Sequence, residues 1–130
     1  MKKLLTCNFT MISLALLQSC SSANTNTPLP IPQITKPTKH LGFLKINSKE
    51  TDEVCFELTQ GQALSYKITS SSPTLFNIHY HKNNNTRYPV ANQETTINSA
   101  TIAVEDSATY CLMWQGRTNN TSIEYEYTIY

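Results

Sequence analysis

From His40 onward, apolar residues recur at every second position. Val54, Phe56 and Leu58 alternate with Cys55, Glu57 and Thr59. Leu64, Tyr66 and Ile68 alternate with Ser65, Lys67 and Thr69, and Phe76, Ile78 and Tyr80 with Asn77, His79 and His81. Tyr110, Leu112 and Trp114 alternate with Cys111, Met113 and Gln115. The clearest series closes the chain: Ile123, Tyr125, Tyr127 and Ile129 against Glu124, Glu126 and Thr128. A period of two belongs to strands, because successive side chains leave opposite faces of a pleated backbone. Weaker strand signals cover residues 41–46, 86–91 and 95–104, the last interrupted near Asn98-Ser99. Gln60-Gly61, Ser70-Ser71-Ser72-Pro73, Asn83-Asn84-Asn85 and residues 116–120 supply the turn chemistry between them. No 12-residue stretch shows a helical stripe. Short, alternating, turn-spaced strands predict one all-β domain, an antiparallel sandwich of about seven or eight strands.

The 130 residues allow one such domain and little else. The formal net charge of +1 includes only two arginines, so no basic patch suggests nucleic acid. Gly42, Gly61 and Gly116 lie too far apart for a glycine-rich phosphate loop.

The first residues read as an address. Met1-Lys2-Lys3 is a positive start, and residues 4–17 form a mostly apolar run, short for a membrane span. Leu17-Gln18-Ser19-Cys20 then resembles the lipobox of bacterial lipoproteins. The resemblance implies removal of residues 1–19 as a signal peptide and diacylglycerol on the Cys20 thiol. Ser21 after that cysteine implies sorting to the outer membrane, with the domain facing the periplasm. Two or three acyl chains hold a protein firmly, whereas one does so only marginally. The processed chain would carry eight basic residues against nine acidic ones, a formal side-chain charge of −1.

Residues 20–39 are expected to form the lipidated cysteine and a tether. Pro28, Pro30, Pro32 and Pro37 remove backbone donors and favour an extended spacer of up to roughly 60 Å. Residues 40–130 then make up the β-domain.

The cysteines divide by position. Cys7 leaves with the signal peptide and Cys20 takes lipid, so Cys55 and Cys111 remain to pair in an oxidising compartment. The chain-entropy model assigns such a bridge about 4 kcal/mol. Both cysteines alternate out of phase with the bulky apolar residues of their strands. The bridge is therefore expected on the less apolar face, tying neighbouring strands.

Cys55-Phe56, Cys111, the polar turn at 116–120 and the closing strand from Ile123 resemble the GOLD domain of emp24-type proteins over roughly 53–130. That resemblance implies a β-sandwich with paired cysteines and an association with binding. Asp106-Ser107-Ala108-Thr109-Tyr110-Cys111 shares part of the immunoglobulin signature. It sets tyrosine next to the cysteine rather than two residues before it.

Candidate chemistry is sparse. His79 and His81 share one strand face, the geometry of a metal-binding pair, and are expected to be solvated near Asn83-Asn84-Asn85. Neither a metal nor another cofactor is therefore expected. Asp52 with Glu53, Glu105 with Asp106, and Glu124 with Glu126 are adjacent carboxylates with nothing to set them across a cleft. No nucleophile motif occurs, so no catalytic residue and no enzyme activity is expected. Among the aromatics, Trp114 and Tyr130 are the expected exposed binding surface. These readings converge on a non-enzymatic protein-binding or assembly module of the envelope, anchored by lipid, serving a secretion system or other envelope complex with an unidentified protein partner. An inhibitor of a lysozyme-type enzyme and a carbohydrate-binding module are the alternatives.

Overall fold

A computed structural model describes residues 36–130. Among these residues the chain forms six strands: β1 (Thr38–Ile46), β2 (Thr51–Leu58), β3 (Ala63–Lys82), β4 (Asn85–Ala103), β5 (Ala108–Gly116) and β6 (Thr121–Ile129). All pairings are antiparallel. The domain begins two residues before the expected boundary, because Thr38 and Lys39 already pair with Ile129 and Thr128.

β3 organises the sheet. Its first part, from Leu64 to Ser70, lies between β4 and β6, and its second part, from Thr74 to Tyr80, lies between β4 and β5. β1 then adds to β6 and β2 adds to β5. The continuous sheet thus has one half ordered β1-β6-β3-β4 and another ordered β2-β5-β3-β4. The two halves face each other. Phe56 of β2 stacks on Tyr127 of β6 at 4.2 Å, and Trp114 of β5 lies 5.2 Å from Tyr125, although neither strand pair is hydrogen-bonded. Leu64, Ile68 and Ile123 from one half meet Phe76, Ile78, Leu112 and Trp114 from the other in a single core. These are the alternating apolar residues, so the period of two became the inward face.

Six strands replace the expected seven or eight because two expected breaks are absent: residues 64–69 continue into 76–81 as β3, and residues 86–91 into 95–103 as β4. Ser70-Ser71-Ser72-Pro73 is not a turn between strands but a corner inside β3. There β3 runs from Thr69 to Thr74 while β4 advances only from Ile97 to Thr95. Hydroxyls make the bend possible. Ser70 Oγ donates to the Ser72 carbonyl at 2.6 Å and lies 3.0 Å from Thr74 Oγ1. Ser72 Oγ bonds both Thr118 and Thr121, and Ser71 Oγ accepts the Ser122 N–H. Backbone and side-chain groups therefore stay satisfied where the ladder is interrupted, as burial requires. Asn98-Ser99 does not break β4 either. Asn98 accepts a 2.7 Å hydrogen bond from the Tyr66 hydroxyl within a regular register.

Two other turns knit the corner. The β1–β2 turn bonds the β5–β6 turn through Lys49 N–H to the Gly116 carbonyl and Gly116 N–H to the Glu50 carbonyl. A side chain at Gly116 has no room: a Cβ there would stand 2.1 Å from the Asn47 carbonyl oxygen. The β3–β4 hairpin turns on Asn83 and Asn84, both at positive φ, the two-residue turn that matches strand twist.

The bridge between Cys55 and Cys111 forms as expected, between residues directly opposite on β2 and β5, with Cα atoms 4.1 Å apart. It lies on the outward face, out of phase with Val54, Phe56, Tyr110 and Leu112.

Gly116→Ala should lower stability by about 1–3 kcal/mol, the range for overpacking against an unyielding neighbour. Gly61→Ala should cost less, because only its positive φ opposes a side chain there. Urea denaturation of the two variants checks the order.

Candidate functional site

Two groups on the outside of the sheet and a third at the end of β3 carry chemistry. The first is the outer face of the β1 half. Gly42, Leu44 and Ile46 turn inward, so Leu41 and Phe43 turn outward, 72% and 58% exposed. Tyr125 explains the glycine: its ring fills the inner position, and a Cβ on Gly42 would meet it at 2.0 Å. The register sets Phe43 beside Glu124, Thr69 and then Ile97, which is 63% exposed. Leu41 stands beside Glu126 and Lys67. Leu41, Phe43, Lys67, Thr69, Glu124 and Glu126 line a groove of about 460 Å³. Lys39 closes one end through a 2.9 Å ion pair with Glu126. An exposed apolar strip with a charged rim is the composition of a contact surface.

The second group surrounds the disulfide. Outward residues of β2, β5 and β3 place Glu53, Cys55, Cys111 and His79 together. His79 is only 7% exposed, although it lies on the outward side of its strand. Its Nδ1 lies 2.9 Å from Asn77 Oδ1, and the fully buried Asn77 amide in turn donates to Asn92 Oδ1 at 2.7 Å. With that amide committed as a donor, Asn77 Oδ1 is the acceptor and His79 Nδ1 carries the proton. Nε2 then faces the Glu53 carboxylate at 3.8 Å. Burial pushes the His79 imidazole below its usual range, Glu53 partly opposes this, and His81 adds to it. The expectation of two solvated histidines fails for His79, because Asn77, Tyr88 and the disulfide enclose it, whereas His81 remains exposed.

The third group is a polar cluster at the end of β3. The Tyr80 hydroxyl donates to Asp106 at 2.8 Å, and Lys82 pairs with the other carboxylate oxygen. Those hydrogen bonds, Lys82's first, hold the Asp106 carboxyl below the usual carboxylate range. The same carboxylate pushes Tyr80 up to about 12. The Tyr110 hydroxyl reaches back to the Asp106 carbonyl at 3.1 Å, closing the turn before β5. This is the local device of the tyrosine corner in immunoglobulin-type sandwiches.

The residues predicted from sequence fall apart here. Cys55 and Cys111 come together. Trp114, expected at a binding surface, is fully buried against Phe76 and Tyr125 and offers nothing to a partner. Its strand faces it into the core, and its Nε1 is the buried side-chain polar atom left without a partner among the described residues. Tyr130 is half-exposed at the chain end, away from Leu41 and Phe43 along the β1–β6 pair. Cys20 and most of the tether lie outside the described residues. Leu41, Phe43, Ile97 and Asn77 were not singled out from sequence. One signal was present: Leu41, Phe43, Leu44 and Ile46 place apolar residues on both parities of one strand, so one set must face outward.

No family model matches the chain, and no curated protein matches it.

Asp106→Asn should lower stability near neutral pH and weaken its pH dependence at both ends. Asp106 is depressed in the folded state, so its stabilisation is present above its unfolded value and lost as pH falls below about 4. Tyr80 is raised, so its share is present below about pH 10 and lost as pH rises towards 12. In the variant, the highest tyrosinate absorbance step should move down, and thermal melts across pH should flatten at both extremes.

Proposed function

We propose that this chain is a lipid-anchored envelope protein whose β-domain binds an extended apolar segment of a partner protein along β1. The exposed Leu41–Phe43 strip on a free strand edge carries this reading. Among the described residues β1 pairs only with β6, and none of them pairs with the backbone donors and acceptors of its other edge. Edge strands that avoid partners are usually blunted by charge, proline or bulges. β4 carries Pro89 and register shifts, and β2 carries Asp52, Glu53 and Glu57. β1 is nine residues long, in unbroken register, and its outward leucine and phenylalanine lie between Lys39 and Lys45, which leave the middle of the strand apolar. An added strand would gain main-chain hydrogen bonds from that edge, and its alternate side chains would lie beside Leu41 and Phe43.

The anchor reading supports the same role. The Leu-Gln-Ser-Cys sequence and proline-rich residues 21–39 would hold the domain at a membrane with β1 first along the chain. A carbohydrate-binding role loses its leading residue with Trp114 in the core. Binding of an envelope protein keeps Leu41, Phe43 and Ile97 as anchors.

A photo-crosslinking residue at Phe43 should trap one discrete envelope protein in living cells, and Leu41→Glu should abolish the adduct. Both positions are exposed, so folding stability should change by less than about 0.5 kcal/mol. Absence of any adduct at positions 41 and 43 would refute the β1 assignment. For the anchor, Cys20→Ala should abolish palmitate labelling and release the protein from membranes.

A further inference from the structure

The disulfide is set among other metal-ligand side chains. Glu53, His79 and Cys111 each place a ligand atom within 4.8 Å of the others. Cys55 adds the second sulfur from the position directly opposite Cys111. The four residues come from three adjacent strands, with β5 in the middle. Two thiolates, one imidazole and one carboxylate form a donor set that suits tetrahedral zinc. Bond lengths of about 2.0–2.3 Å set such ligand atoms roughly 3.3–3.8 Å apart, so side-chain adjustments suffice to converge them.

We propose that the Cys55–Cys111 bridge is the oxidised, closed form of a zinc-class cation site completed by His79 and Glu53. Two observations beyond the cluster favour it. The His79 ring is already oriented as a ligand. Its Nδ1–H is held by the buried Asn77 oxygen, and its Nε2 lone pair faces Glu53. Metal-binding histidines are usually fixed in this way through the nitrogen that does not bind the metal. In addition, the bridge joins strands that eight consecutive residue pairs already hold, from Thr51–Gln115 to Leu58–Ala108. The β2–β5 pairing therefore does not rest on the bridge alone.

The switch balances with a dithiol as reductant. One dithiol sulfur attacks the bridge, forms a mixed disulfide with the exposed Cys55, and releases Cys111 as thiolate. The second dithiol sulfur then displaces Cys55 and closes the reductant into its own disulfide. Two electrons and two protons pass from the dithiol to the cysteine pair. A divalent cation then binds both sulfurs as thiolates and displaces those protons to solvent.

The full chain, purified in detergent, tests the proposal. The bridge is reduced with a phosphine, the phosphine is removed without air, and cobalt(II) is added as a spectroscopic stand-in for zinc. The expected result is one equivalent bound, with thiolate charge-transfer bands and the strong visible bands of tetrahedral cobalt, all displaced by zinc. The oxidised chain should show none of these bands. His79→Gln and Glu53→Gln should each weaken zinc binding by at least about tenfold. Glu53 is exposed, so its variant keeps the test valid if His79→Gln fails to fold. If reduction unfolds the chain, zinc should refold it, read by circular dichroism. The proposal is overturned if the reduced chain binds no cobalt, if it unfolds and zinc does not restore it, or if Glu53→Gln binds as tightly as the parent.

Discussion

A single strand carries hydrogen-bond ladders to three partners. β3 pairs with β4 along one edge and with β6 and then β5 along the other. Twenty residues of extended chain span roughly 66 Å, too far for a straight strand in a domain of this size. The strand must therefore bend, and the bend decides that the sheet folds over on itself. Ser70, Ser72, Thr74, Thr118 and Thr121 supply the hydroxyls that satisfy the corner. Three of these five side chains are buried, so an apolar replacement would leave polar groups stranded. The β1–β2 and β5–β6 turns lock around the same place, which is why Gly116 must be bare.

The fold also explains why both outward faces carry something unusual. The inward face holds Phe76, Trp114, Leu64 and Ile123 in one core, so each strand has one remaining parity to present. On the β1 half that parity includes Leu41, Phe43 and Ile97, which no part of the domain covers. On the β2 half it includes Asn77, His79 and the disulfide. There neighbouring side chains enclose a polar cluster that would otherwise be solvated. Buried polar groups persist only when each is paired. Asn77 meets that condition by donating to Asn92 and accepting from His79.

Much of this architecture was legible in the chain itself. Alternation identified the inward residues of β2, β3, β5 and β6, and the Asn83-Asn84-Asn85 run marked the β3–β4 hairpin. The out-of-phase cysteines indicated an outward bridge between neighbouring strands. The strand count was misread because Ser70-Ser71-Ser72-Pro73 has turn chemistry whether it ends a strand or bends one. Local residue type reports which backbone groups can be satisfied by side chains. It does not report whether the same two partners continue beyond the corner.

Sequence by itself determined the class, the faces and the cysteine pair, since each depends on parity or on short-range backbone preference. Tertiary structure alone decided which residues of either parity became buried and which became surface. Trp114 and His79 show this most clearly. Alternation assigned Trp114 to the apolar parity but could not say that Phe76 and Tyr125 would enclose it. His79 lies on the polar parity, yet contacts from β2, β4 and β5 exclude water from it. Exposure is a property of neighbours that strand pairing brings together, and sequence distance does not name them: Phe76 comes to Trp114, and Glu53 to His79, from other strands.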